Sequence, residues 1–332
     1  NFWDNAWIWL LSQEDNEAII SPVRSGEIYL DDSLYFTSQT KSLKLFKWDF
    51  GDNRLSTVPN PGLLTFPTVG ERIVTLEIFD DEEDMVLFSD TRTITVADKP
   101  EAVPDFDVND MGIPSDIVIG KSATITYIVS NKGDANVEDM RWNDAVYLSK
   151  DKQLDTLDVR LGSVQVTQHI SVGDVYQGSM LIKIPPILEG AYYLILSIDD
   201  GWSILERHQL NNEFAREVNI AVPVLEHNVG QTIPVTPGPV SHYYRVDIES
   251  GESLFIEMDS MLPNLTIYAR FGALPTRGNY DYRATGSSLL IPAAAAGTWY
   301  ILVYHDSVDE GGEYTILGQG VTIKVQGVTP NR

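Results

Sequence analysis

Apolar and polar residues alternate along this chain in short runs, and few segments repeat every three to four positions as a helix face would. Ile73–Phe79, Ala123–Ser130, Tyr192–Ile198, Tyr243–Ile248 and Trp299–Tyr304 all follow this pattern, bounded by Gly, Pro, Asn and Asp. A period of two places alternate side chains on one face, and turn residues spaced about 8 to 12 positions apart are the mark of sandwiches. The prediction is an all-β chain whose strands each bury one face.

Two interruptions divide the pattern. Asp98–Pro104 (DKPEAVP) and Val222–Glu226 (VPVLE) each place proline and charge after a strand. Proline fixes φ and removes a donor, so both read as short stiff joints. They leave three modules at 26–98, 102–222 and 224–319, flanked by 1–25 and 320–332. A chain of 332 residues suits this division, because ordinary domains run to about 100–150 residues.

Composition narrows the chemistry. The chain is 43% hydrophobic and 21% charged, enough apolar surface to fold. Asp and Glu number 48 against 23 Lys and Arg, and the net charge of −25 is dispersed. Such a charge repels phosphate backbones and gives no attraction to anionic lipid, so neither nucleic acid nor a membrane surface is an expected partner. It suits hard cations, which bind carboxylate and carbonyl oxygens. With no Cys, disulfides and thiolate metal sites are excluded. The apolar run Ala6–Leu11 is far shorter than a membrane span. The start at Asn1 and the character of both ends lead us to expect interior positions of a longer polypeptide.

The first module carries Trp48-Asp49-Phe50-Gly51-Asp52-Asn53, then Pro59-Asn60-Pro61, then Gly70 leading into Ile73–Ile78. This resembles the polycystic kidney disease (PKD) repeat, an immunoglobulin-like sandwich, with Asn53 where the family usually has Gly. Alternation puts Trp48 and Phe50 in the core, and Asp49 and Asp52 against turn amides. Those two acids read first as turn acceptors and second as calcium ligands.

The second module opens with Pro104-Asp105-Phe106 and runs through Ile125–Gly133, Asp144–Ser149 and Asp199–Glu206 to Asn211-Asn212. Over its whole length it resembles CARDB, the cell-adhesion-related domain of bacteria and archaea, also an immunoglobulin-like sandwich. Two acidic groups lie in it: Asp151, Asp155 and Asp158 in one polar loop, and Asp199, Asp200 and Glu206 around a later turn. Several carboxylates without a nearby base repel one another unless a cation or solvent screens them. One bound Ca2+ is one reading; solvated turn residues and Asx caps are the other.

The third module reads His242–Leu254, then Leu265–Gly272, Gly297–Tyr304 and Gly312–Ile316. It is similar to the bacterial pre-peptidase C-terminal (PPC) domain, a jelly-roll-like sandwich. Pro263-Asn264 stands where that family usually has an Asp pair, which weakens the case for a family calcium site. Residues 1–25 are expected to end a preceding domain or supply an extra strand, and Val325–Arg332 resembles the opening of an IPT/TIG-type repeat.

No catalytic constellation is legible. There is no Cys, no GxSxG elbow and no HExxH, and the five histidines are scattered. An aromatic sugar platform from Trp142, Trp202, Trp299 or Tyr280-Asp281-Tyr282 competes with the simpler reading that each Trp fills the core of its own sandwich. The expected function is therefore non-catalytic: a stalk, spacer or fibre segment of a large prokaryotic surface or secreted protein. Its expected partners are other domains of the same chain, other copies, and a cell-surface protein or polysaccharide. The alternatives are an accessory substrate-binding region of a secreted peptidase or polysaccharide hydrolase, and a filament subunit joined by strand donation.

Overall fold

The structure is a computed structural model that describes residues 20–21, 26–30, 33–38, 45–79, 85–138, 140–155, 158–260, 262 and 264–322. The Trp3, Trp7 and Trp9 run and the IPT/TIG-like end lie outside the described residues. Among the described residues there are twenty-four strands, one at Ile20–Ser21, seven in 26–98, eight in 102–222 and eight from 231 to 321, and the helical element is a single 3-10 turn at Gln209–Asn212.

β1 (Ile20–Ser21), which precedes the predicted first module, is joined by the strands of that module: β2 (Gly26–Tyr29), β3 (Ser33–Ser38), β4 (Leu45–Asp49), β5 (Leu55–Ser56), β6 (Gly62–Thr65), β7 (Gly70–Phe79) and β8 (Val86–Ala97). They form sheets ordered β1-β3-β6 and β2-β8-β7-β4-β5. Along β4 exposed and buried residues alternate, so Phe46 and Trp48 point inward, and Phe50 follows. Phe36 meets Trp48, Phe50 and Phe66 edge-on at 6.2, 5.5 and 6.2 Å, and the Trp48 Nε1 donates to the Val58 carbonyl at 3.1 Å. That bond satisfies the one polar atom of a fully buried indole. In the turn after β4, Gly51 and Asn53 have φ of +71° and +69°. Asn is among the few residues with a side chain that tolerate this region, which explains why Asn53 can replace glycine.

The second module comprises β9 (Phe106–Gly112), β10 (Ile117–Val118), β11 (Ser122–Asn131), β12 (Trp142–Ser149), β13 (Val159–Val166), β14 (Val175–Lys183), β15 (Gly190–Ser197) and β16 (Glu213–Ala221). Its sheets are ordered β10-β16-β15-β12-β13 and β14-β11-β9. Tyr127 on β11 lies directly opposite Gly178 on β14, and a Cβ at Gly178 would collide with the tyrosine ring. The glycine makes room for that ring to cross the strand.

The third module comprises β17 (Gln231–Val235), β18 (Gly238–Ile248), β19 (Ser253–Ser260), β20 (Thr266–Phe271), β21 (Tyr282–Thr285), β22 (Ser288–Ile291), β23 (Gly297–Val308) and β24 (Gly312–Val321). Two four-stranded sheets, β17-β24-β19-β22 and β18-β23-β20-β21, face each other across a core that includes Ile256, Ile267, Trp299, Ile301, Val303 and Ile316. Inward residues alternate with outward ones, so Thr266 and Tyr268 on β20 and Leu302 and Tyr304 on β23 point away from this core.

By compactness the described residues form two units. One holds those of 1–115 with 122–183 and 191–219, and the other holds those of 116–121 with 184–190 and 220–322. No helix among the described residues is long and apolar enough to cross a membrane.

Candidate functional site

The acids of the second module fall into three places. After β15 the chain turns through two residues with left-handed backbone, Asp199 at φ +47° and Trp202 at φ +50°. The buried Asp199 carboxylate makes this turn possible: it accepts the Ser203 amide at 2.9 Å and the Ile204 amide at 2.7 Å. It acts as an Asx-type cap, supplying acceptors to amides that no strand partner reaches. Asp200 faces the other way and accepts the Tyr147 hydroxyl at 2.9 Å, with Arg160 at 3.5 Å.

Glu206, completely buried, closes the module. One of its oxygens accepts the amide of Phe106 at the start of β9, and the other accepts Asn212 Nδ2 at 2.7 Å. Beside it, Asp105 accepts the His208 amide and Asn211 Nδ2, both at 3.2 Å. These bonds tie the first strand of the sandwich to its last turn. Burial pushes the Glu206 carboxyl up to about 8, and the charges of Asp199 and Asp105 add to the rise, against the lowering by its donors.

Asp151, Asp155 and Asp158 share the loop between β12 and β13. Asp151 accepts the Gln153 amide at 2.8 Å, and Asp158 accepts the Asp155 amide at 2.9 Å. Asp155 is buried, and the Asp158 carboxyl is pushed up to about 8 by burial and then by the charges of Asp155 and Asp151. Their oxygens are the donor type that calcium takes, but among the described residues no three acidic or histidine side chains stand close enough together to cage a metal ion.

In the first module Asp49 accepts the Gly51 amide at 2.9 Å and Asp52 accepts the Arg54 amide at 3.1 Å. The hydrogen bond from the Arg54 side chain holds the Asp52 carboxyl below its usual range.

Sequence reasoning passed over Asp144. Fully buried on β12, it accepts the hydroxyls of Tyr127 and Tyr176 at 2.8 and 3.0 Å on one oxygen and the Asp199 amide at 3.2 Å on the other. Burial pushes its carboxyl up to about 6. The signal was parity: Asp144 shares alternation with the core residues Trp142, Val146 and Leu148, which marks an acid on an inward face.

The aromatic candidates divide as well. Trp142 and Trp299 are core residues at 1% and 3% exposure. Trp202 departs from the expectation that it fills its own sandwich, because the left-handed turn at 199–202 aims it at the core cluster of the first module, where it packs half-buried. Tyr280 and Tyr282 do not make one platform: Tyr280 packs edge-on against Tyr268 at 5.1 Å, while Tyr282 lies against the core residue Trp299 at 5.9 Å. Removing a half-buried indole costs about 2–3 kcal/mol. Trp202→Ala is therefore expected to lower the midpoint of the first module's unfolding by several degrees while the third module melts as before. Calorimetry of the whole chain checks this, and an unchanged first transition would contradict it.

Residues 103–216 match the CARDB family model, and residues 240–305 match the model of the bacterial pre-peptidase C-terminal domain. The chain thus carries a CARDB domain followed by a PPC domain. A search of the curated proteins finds no match. Among solved structures, a CARDB domain from Pyrococcus furiosus in complex with di-metal ions is 18% identical, with 36% of this chain and 90% of that chain covered and a TM-score of 0.28. Fibronectin(III)-like modules from Clostridium thermocellum are 13% identical over 61% of this chain and 91% of that one, with a TM-score of 0.24. A β-glucosidase from Listeria innocua in complex with glucose is 10% identical, with 38% of this chain and 17% of that chain covered and a TM-score of 0.25.

Proposed function

We propose that this chain is a non-catalytic structural and adhesive segment of a large prokaryotic surface or secreted protein, a stalk or spacer whose first module is a PKD-like sandwich. The observation that carries the reading is the succession of a CARDB and a PPC domain, both non-catalytic extracellular module types, in one chain. The buried carboxylates support it, because Asp144, Asp199 and Glu206 are occupied in holding strands and turns together. Acids spent this way serve mechanical integrity rather than a substrate.

Pulling the chain by its ends tests this. Each module should resist and then release its own length in a separate event, about 40 nm for the 102–222 module at about 3.6 Å per residue. Yielding without discrete events, or turnover of a peptide or glycan substrate by the purified chain, would overturn the reading. The accessory-region alternative predicts a catalytic domain encoded beside this segment.

Calcium stabilisation is a second reading, favoured by the placing of Asp151, Asp155 and Asp158 in one loop, where burial and then the charges of Asp155 and Asp151 raise the Asp158 carboxyl. Millimolar CaCl2 at pH 8, where that carboxyl loses its proton, is expected to raise the midpoint of the second module by several degrees over EDTA. Identical melts remove calcium from the account, and Asp158→Asn should abolish any shift that is seen.

A further inference from the structure

The outward face of the β18-β23-β20-β21 sheet carries a cavity of about 680 Å³, within the usual range for ligand sites. Its floor is Thr266 and Tyr268 on β20 and Tyr304 on β23, the residues that alternation turns away from the core. Its walls are Arg283 on β21, Arg277 from the loop before it, and the strand end at His305-Asp306.

Two cations stand in this groove against one acid, in a chain whose net charge is −25. Both are held by rings. The Arg277 guanidinium lies 4.9 Å from the centre of the Tyr304 ring and donates to the Tyr304 hydroxyl at 2.7 Å, and the Arg283 guanidinium lies 5.5 Å from the Tyr268 ring. Each guanidinium lies within cation–π distance of its ring, which holds its charge over the groove. The Arg277 guanidinium already donates to a planar acceptor: the Asp306 carboxylate, 80% exposed, sits 3.1 Å from it and accepts the Tyr304 hydroxyl at 2.6 Å. Arg283 has no carboxylate within ion-pair distance among the described residues, so one fork remains for a ligand.

The geometry points to a binding groove for a carboxylate-bearing polysaccharide, a chain of uronic acid residues. The Arg283 fork takes a sugar carboxylate in bidentate fashion with the positive charge of Arg277 beside it, Tyr280, 38% exposed where it packs edge-on against Tyr268, offers an apolar surface next to the cavity, and Thr266, Asn264 and Thr285 meet hydroxyls. A glycan is favoured over an acidic peptide because the groove combines ring surfaces with neutral hydroxyl and amide groups around only two cations. This deepens the adhesive role proposed above and rests on it for its setting.

Titration calorimetry of the whole chain with hexagalacturonate, in EDTA and low salt, tests the groove. Binding is expected that weakens at least tenfold with Arg283→Gln, whose exposed side chain leaves the melting midpoint unchanged, and with Arg277→Gln. A neutral cellohexaose should bind at least tenfold more weakly, and raising salt should weaken the uronate. The proposal falls if hexagalacturonate gives no binding, if Arg283→Gln binds as the native chain does, or if the neutral hexamer or a hexaglutamate peptide binds equally well. Any of these results leaves the discrete unfolding events, and hence the structural role, untouched.

Discussion

The second sandwich is expected to lose stability as pH rises from about 4 to about 8, the opposite of the usual gain above the carboxylate range. Three of its acids have native values above their ordinary ones: Asp144 at about 6 and Asp158 and Glu206 at about 8, in each case chiefly through burial. In the unfolded chain these groups ionise near 4, so between 4 and 8 the native state binds more protons than the unfolded state. Where that holds, the free energy of unfolding falls with pH. The contribution is whole below about 4; the Asp144 part is lost through pH 6 and the other two through pH 8. Each such group costs about 1.4 kcal/mol per pH unit inside its window. Asp134, which the Val103 amide and then Arg207 hold low, works in the reverse sense but only in a more acidic window.

The measurement is calorimetry of the whole chain, following the transition of the second module at pH 5, 6.5 and 8 without divalent ions. Because about 1 kcal/mol moves the midpoint of a small domain by several degrees, a fall of at least about 5 °C from pH 5 to pH 8 is expected. Asp158→Asn should flatten the upper part of that fall. A midpoint that is constant or rises over this range would refute the account.

The fold was legible because its strands obey their period. Trp48, Phe50 and the residues of Ile73–Phe79 fall on the sides that alternation assigns. The candidate acids were legible only as acids. Spacing placed Asp199, Asp200 and Glu206 near one turn, but what each carboxylate accepts depends on partners far away in the chain, such as Phe106 for Glu206, 100 residues off. Asp200 is turned to Tyr147 by a peptide conformation that no local pattern encodes. Trp202 was misassigned for a related reason: strand parity does not apply inside a left-handed turn, and the turn decides which core its ring reaches. The groove over Tyr268 escaped the sequence altogether, because Arg277, Arg283 and Tyr304 meet only once β20 lies between β21 and β23.

Glu206 offers the sharpest separation between charge and hydrogen bonding. Glu206→Ala would leave the Phe106 amide and Asn212 Nδ2 without acceptors in a site from which water is excluded. An unsatisfied buried group costs about 1–3 kcal/mol, so a loss of about 3–5 kcal/mol is expected once the missing side-chain packing is included. Glu206→Gln should cost less than about 1 kcal/mol at pH 6, because a glutamine has the shape and donor pattern of the protonated acid. Its carbonyl can accept the Phe106 amide, and its NH2 can donate to Asn212 Oδ1, which lacks a partner at present, once the Asn212 amide turns over. The same turn lets protonated Glu206 donate to that oxygen, so the native pair and the Gln variant share one arrangement. Urea unfolding of both variants distinguishes the cases, and the Gln variant should also lose Glu206's share of the decline with pH. If Gln proves as damaging as Ala, the native carboxyl is ionised, and burial does not govern its proton.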